Sequence, residues 1–291
     1  MANVAPGDYK LCIDLKDNNG KSLWEYRDSY RVYPDGKTPW HNNTTGISDK
    51  VPYPYTPLKV RGNEIDVVCR TYKFAPGSLL PAQIISRNQQ VLAAPVNLTA
   101  KVNGVNCTLQ GSDIKITPVN ETICKLSASG KLGPLTVKMS GTMEFDGFLW
   151  LTVEFLPEGK KYTVSDLALN IPMSKNCSDL RNFNDSRLQR TGTVPQGKSV
   201  KDLLTDTPIF WLGGNEAGLQ FAMEKLEGFH LQNTKESLVV TRKGDMTSAR
   251  VNIFDTAVVL DKPRKIEFGF EATPIREVNP KARNIRMWTN L

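Results

Sequence analysis

The stretch "LTVKMSGTMEFDGFLWLTVEFLP", Leu135 to Pro157, admits few folds. Leu135, Val137, Met139, Met143 and Phe145 share one parity before an Asp-Gly pair. Leu149, Leu151, Val153 and Phe155 share one parity after it. Apolar residues at every second position describe a half-buried strand, because a helix would repeat every 3.6. Parity also sets the loop. A two-residue loop at Asp146-Gly147 would put Glu144 opposite Leu149 and mix polar with apolar residues on each face. A three-residue loop, Phe145-Asp146-Gly147, pairs Met143 with Leu149 and Met139 with Val153. It sets Lys138 opposite Glu154 and places Gly147 where a bulged hairpin needs a left-handed residue. A slip of one residue would turn every side chain to the wrong face.

The rest of the chain follows the same rhythm. Ile266, Phe268, Phe270 and Ala272 alternate with Lys265, Glu267 and Glu271. "PIFWL" and "GLQFAMEK" flank Gly213-Gly214 and predict a hairpin with Asn215 and Glu216 at its tip. A helical reading of Leu219, Ala222, Met223 and Leu226 competes, but Leu219, Phe221 and Met223 also fit period two, and the glycines bracket a strand-length segment. "YKLCIDL" and "SLWEYRDSYRVY" read as two strands joined at Asn18-Asn19-Gly20. Residues 34–57 hold five prolines and little periodicity, as a linker would. Residues 1–40 are therefore expected to be the tail of a preceding β module, and residues 41–291 the main domain. Polar residues 173–207 interrupt the strands, with one helical turn predicted near Val200 to Leu204. Strand after strand, separated by turns among 18 Pro and 21 Gly, predicts an all-β antiparallel β-sandwich, or a larger supersandwich, with little helix.

Composition excludes several functions. No apolar run approaches the ~20 residues of a membrane-spanning helix. The net charge is +7, yet Lys and Arg are interleaved with Asp and Glu, so no basic stripe for nucleic acid is expected. Five cysteines without C-x-x-C spacing argue against a zinc site, although Cys107 and Cys124 could meet across adjacent strands. The two histidines, His41 and His230, are too few and too distant for a metal site. Neither a P-loop nor G-x-G-x-x-G is present, and no cofactor is expected. The N-terminus lacks a signal-peptide pattern, which suggests either a cytosolic protein or a piece cut from a longer one.

Glu216, Glu224 and Glu227 crowd one short segment. Hydrolysis by two carboxylates needs them ~5–9.5 Å apart across a sugar. A turn tip and an outward strand face do not supply that, so these residues read as surface charge. His230 reads as structural. Trp150 and Phe148 lie on the polar parity of their hairpin, beside Glu144, Thr142 and Thr152. The preferred reading is a central strand packed on both faces. The alternative is a platform on which a sugar ring stacks, and Trp211 poses the same choice. Candidate carbohydrate-binding residues are thus Trp150, Trp211, Asn215, Glu216 and His230, with none assigned to catalysis.

Three stretches carry a resemblance: "ISDKVPYPYTPLKVRGNEIDVVCRTYKF…LPAQIISRNQQVLAAPVNL", "PIFWLGGNEAGLQFAMEKLEGF" and "VNIFDTAVVLDKPRKIEFGFEATPI". From about Ile47 to Ile275 they resemble the non-catalytic β-sandwich region of bacterial proteins related to family 123 glycoside hydrolases. The resemblance implies a partner (β/α)8 barrel whose Asp-Glu pair hydrolyses β-linked N-acetylgalactosamine with help from the substrate's acetamido group. It also implies a periplasmic or secreted parent protein. This chain has no adjacent Asp-Glu. The expectation is a supporting module that packs on such a barrel through apolar sheet faces, with glycan binding or self-contained catalysis as alternatives.

Overall fold

The computed structural model describes residues 4–34, 40, 43–46, 48–184, 189–202 and 208–277. His41 lies outside them. The chain divides into two compact units, residues 1–48 and 49–291.

The first unit holds a hairpin of Gly7–Lys16 and Ser22–Val32. Its turn is tied by Asp17, whose side chain accepts the amides of Asn19 and Lys21, each at 2.9 Å. The register places Tyr9, Ile13 and Leu15 opposite Tyr30, Tyr26 and Trp24 on one face. Asp8, Lys10 and Cys12 face Arg31, Ser29 and Arg27 on the other.

The second unit is built from three antiparallel sheets. The largest runs in the order Gln110–Gly111, Ile123–Leu132, Leu135–Glu144, Leu149–Leu156, Arg264–Thr273, Gly218–Ala222, Ile209–Gly213, Leu180–Asn184 and Gln189–Thr193. Lys115–Pro118 also pairs with Ile123–Leu132. The second sheet centres on Tyr162–Ser174, flanked by Met246–Asn252 and Asn97–Val102. The third is a five-stranded sheet from Lys59–Arg61 to Gln89–Gln90. Their inward residues merge into one core, so the unit is a β-sandwich.

One inward row shows how register builds this core. Cys124, Met143, Leu149, Phe270, Phe221, Phe210 and Phe183 are successive cross-strand partners. All are buried. Phe221 stacks on Phe210 at 5.1 Å and on Phe268 at 5.9 Å.

The hairpin of Leu135 to Pro157 has the three-residue loop that parity requires. Lys138 faces Glu154, Met139 faces Val153, and Met143 faces Leu149. Gly147 has φ +86°. A Cβ there would come within 3.0 Å of the Arg70 guanidinium and of Val67 Cγ2. Gly147→Ala is therefore expected to lower unfolding free energy by about 1–2 kcal/mol, through left-handed strain and crowding. A thermal unfolding curve superposing on that of the parent would contradict this.

The segment Pro208 to Ala222 is a hairpin, not a helix: Ile209–Gly213 pairs with Gly218–Ala222. Its glycines answer to crowding and not to turn geometry. A Cβ on Gly213 would lie 2.0 Å from the Trp211 ring, and one on Gly214 would lie 2.0 Å from the Asn176 carbonyl oxygen. The strand ends at Ala222, so Glu224 sits on the loop beyond it. Two expectations fail. Ser199–Asp202 is an edge strand paired with Leu238–Lys243, not a helical turn; residues 203–207 lie outside the described set. Cys107 and Cys124 belong to different sheets, and all five cysteines are free.

Candidate functional site

The five-stranded sheet clamps one end of the large one. Arg70 is 2% exposed. Its guanidinium donates to the carbonyls of Ala272 at 2.7 Å, Ile275 at 2.9 Å and Val68 at 3.2 Å, and to that of Asp146. Tyr72 donates its hydroxyl to the Gly147 carbonyl at 2.8 Å and accepts the Ala272 amide at 2.9 Å. Burial pushes this phenol up to about 12, so it stays protonated and can donate. Ser86 donates to the Thr273 carbonyl at 2.8 Å. These bonds fix the direction in which the chain leaves the strand Arg264–Thr273.

Beside this clamp lies a concavity of about 650 Å³, lined by Asp66, Cys69, Arg70, Arg87, Glu216 and Glu277 among others. Three carboxylates from distant segments thus share one hollow. Two of the three are held in ion pairs. Asp66 accepts the Thr71 hydroxyl at 2.7 Å and pairs with Arg61 at 2.6 Å. Glu216 pairs with Arg87 at 3.1 Å. Burial, then Glu277, pushes the Cys69 thiol up against the pull of Arg70 and Arg87, which disfavours the nucleophilic thiolate. Arg87 and Asn88 have φ of 46° and 64°, as the two central residues of a tight hairpin require.

The five candidate binding residues do not form one site. Asn215 and Glu216 occupy the hairpin tip, and Glu216 reaches this hollow. His230 is exposed, and its amide donates to the Ile253 carbonyl at 2.8 Å in a bridge to Phe254. Glu224 and Glu227 cluster with Lys225, Lys265 and Glu267.

Trp150 and Trp211, however, share the outer face of the large sheet. Trp150 faces Gly269 across the strands, and Trp211 faces Gln220, which faces Glu271. Gly269 and Glu271 have one parity, so both tryptophans point outward. Three strand spacings separate them laterally, about 14 Å. Trp211 donates to the Thr273 hydroxyl at 3.0 Å. Trp150 is half-buried and stacks on Phe148 at 5.9 Å. A Cβ on Gly269 would lie 2.8 Å from the Trp150 ring and 2.9 Å from that of Phe148, so only glycine leaves room for both. The strand is central in its sheet, but its outer side opens onto a hollow instead of a second packed layer.

Sequence reasoning did not single out Glu271, which lies in the row of Trp211. Burial pushes its carboxyl up, and Asp146 adds to this while Arg70 opposes it. Only the register, which sets it beside Gln220 in the row of Trp211, could have pointed to it.

A protein-family model described as "Glycoside hydrolase 123, third domain" matches residues 58–270. None of the curated proteins matches the chain. Similar solved structures include a TPR-domain containing protein from Parabacteroides distasonis, with TM-score 0.45, 7% identity, and coverage of 78% of this chain and 49% of that one. Another is a GH36 alpha-galactosidase from Geobacillus stearothermophilus, with TM-score 0.44, 9% identity, and 75% and 40% covered. A third is a galactose mutarotase related enzyme from Lactobacillus acidophilus, with TM-score 0.41, 7% identity, and 76% and 98% covered. The chain thus spans half or less of the first two.

Proposed function

Because the chain belongs to the family of glycoside hydrolase 123 third domains, we propose that it is a non-catalytic β-sandwich module of a larger carbohydrate-active protein. In that role it packs on and supports a catalytic barrel outside this chain. The observation that carries the reading is the extent of the match: residues 58–270 take in nearly all of the sandwich unit. The described outer face of the large sheet departs from the apolar docking surface expected above. Its exposed positions include Lys125, Ser127, Lys138 and Ser140. In this reading that face stays open, and the barrel contact falls on another part of the sandwich. We further propose that the amphipathic hairpin of the first unit belongs to a separate module, and that the parent protein is secreted or periplasmic.

The test is turnover. The 291-residue chain alone is expected to release no aryl alcohol from an aryl β-N-acetylgalactosaminide. Joined to the catalytic domain of its parent, it is expected to raise that domain's melting temperature. Turnover by the chain alone, lost on Glu216→Gln or Glu224→Gln, would overturn the reading.

A further inference from the structure

The outer face of the large sheet carries a trough whose construction points to a ligand. Two cross-strand rows form its middle. Thr117, Lys125, Thr142 and Trp150 are successive partners in one, and Lys115, Ser127, Ser140 and Thr152 in the next. Small side chains at Ser127 and Ser140 leave the sheet bare between larger neighbours. The resulting hollow is about 440 Å³, with the Trp150 indole in its wall. Through Ser127 and Ser140 it continues into a second hollow of about 400 Å³ that ends at Lys138 and Glu154. From the Trp150 row to the Glu154 row is four residues along a strand, about 13 Å.

The chemistry of this lining is selective. Thr152 donates to Glu267 at 3.0 Å. Among the described residues, the hydroxyls of Ser127, Ser140 and Thr142 have no protein partner. They offer donors and acceptors along a narrow track. Lys125 and Lys138 add donors, Glu154 adds an acceptor, and the charges are of both signs. Trp150 supplies one apolar surface, held in place by Phe148 and by the space over Gly269. A side chain already fixed loses little freedom on binding. An aromatic surface at one end of a hydroxyl-lined track matches a chain of sugar rings, each with an apolar C–H face and a rim of hydroxyls. It matches an apolar peptide poorly, because the track offers no second apolar pocket, and it lacks the single-sign charge that a polyanion needs.

We infer that this trough binds a neutral oligosaccharide, with Trp150 stacking on one ring and Ser127, Ser140 and Thr142 hydrogen-bonding those that follow. The inference rests on the reading of the chain as a module of a carbohydrate-active protein.

Calorimetric titration of the 291-residue chain with chitotetraose and with maltotetraose tests it, with a hyaluronan tetrasaccharide as the anionic arm. At least one neutral probe is expected to bind with Kd near or below about 1 mM. Trp150→Ala is expected to weaken that binding about tenfold or more. Ser140→Gln, at an exposed position, would fill the trough without touching the core and is expected to weaken it similarly. It carries the test if Trp150→Ala fails to fold. No binding of either neutral probe up to about 10 mM, binding of hyaluronan alone, or binding unchanged in Ser140→Gln would overturn the inference. Hydrolysis of a probe would refute the non-catalytic reading while leaving the trough judged by its Kd values, so the two failures are distinguishable.

Discussion

Arg70→Met is expected to lower the unfolding free energy by about 3 kcal/mol, read as a lower urea midpoint at unchanged slope. Among the described residues, no carboxylate is bonded to the buried guanidinium of Arg70. It is solvated instead by the carbonyls of Val68, Asp146, Ala272 and Ile275. Methionine fills similar space but donates nothing. Each buried carbonyl left without a donor costs about 1–3 kcal/mol, offset in part because the charge no longer needs desolvation. Lysine keeps the charge yet cannot span carbonyls from three segments with a planar fork, so Arg70→Lys should fall between methionine and the parent. A methionine variant within about 0.5 kcal/mol of the parent would mean that water replaces the guanidinium freely, and that the clamp is an incidental contact.

Phe221→Ala should cost still more, about 3–5 kcal/mol, because a ring removed from a dense core takes its transfer energy with it and leaves a cavity. Phe221 is 1% exposed and touches three other rings: Phe210, Phe268 and Phe270. These come from the two strands that flank its own, so relaxation cannot close the gap by moving one side chain. Phe221→Leu retains most of the volume and should cost less than half as much. Equal losses for the two variants would show that aromatic stacking, and not cavity volume, sets the stability here.

How far the sequence revealed this architecture depended on the range of the cause. Alternation from Leu135 to Phe155 determined a register that the structure reproduces pair for pair. Alternation from Ile266 to Ala272 gave the buried face of another strand. Both signals are local. The function of Gly213 and Gly214 was misread because the atoms that forbid a side chain there, the Trp211 ring and the Asn176 carbonyl, are set by packing. The segment from Val200 was read as helical because a short polar run has no period of its own. Its partner, Leu238–Lys243, lies some forty residues away and makes it a strand. Trp150 and Trp211 could be named as candidates, but not placed on one face, because the strands joining them come from three separate parts of the chain. The trough depends on Ser127 and Ser140, whose smallness becomes meaningful only once their strands are neighbours.

The order of strands in the large sheet bears on how the molecule comes into being. Arg264–Thr273 is the last described strand of the sandwich along the chain, yet it lies between Leu149–Leu156 and Gly218–Ala222 near the middle of the sheet. A ribosome adding about 5–20 residues each second would expose two half-sheets for several seconds before the piece that joins them emerges. During that interval the edges of Leu149–Leu156 and Gly218–Ala222 present unpaired backbone groups, each able to accept a strand from another nascent chain. Shielding of that gap during synthesis would then govern the yield of folded protein as much as the stability of the finished sandwich does.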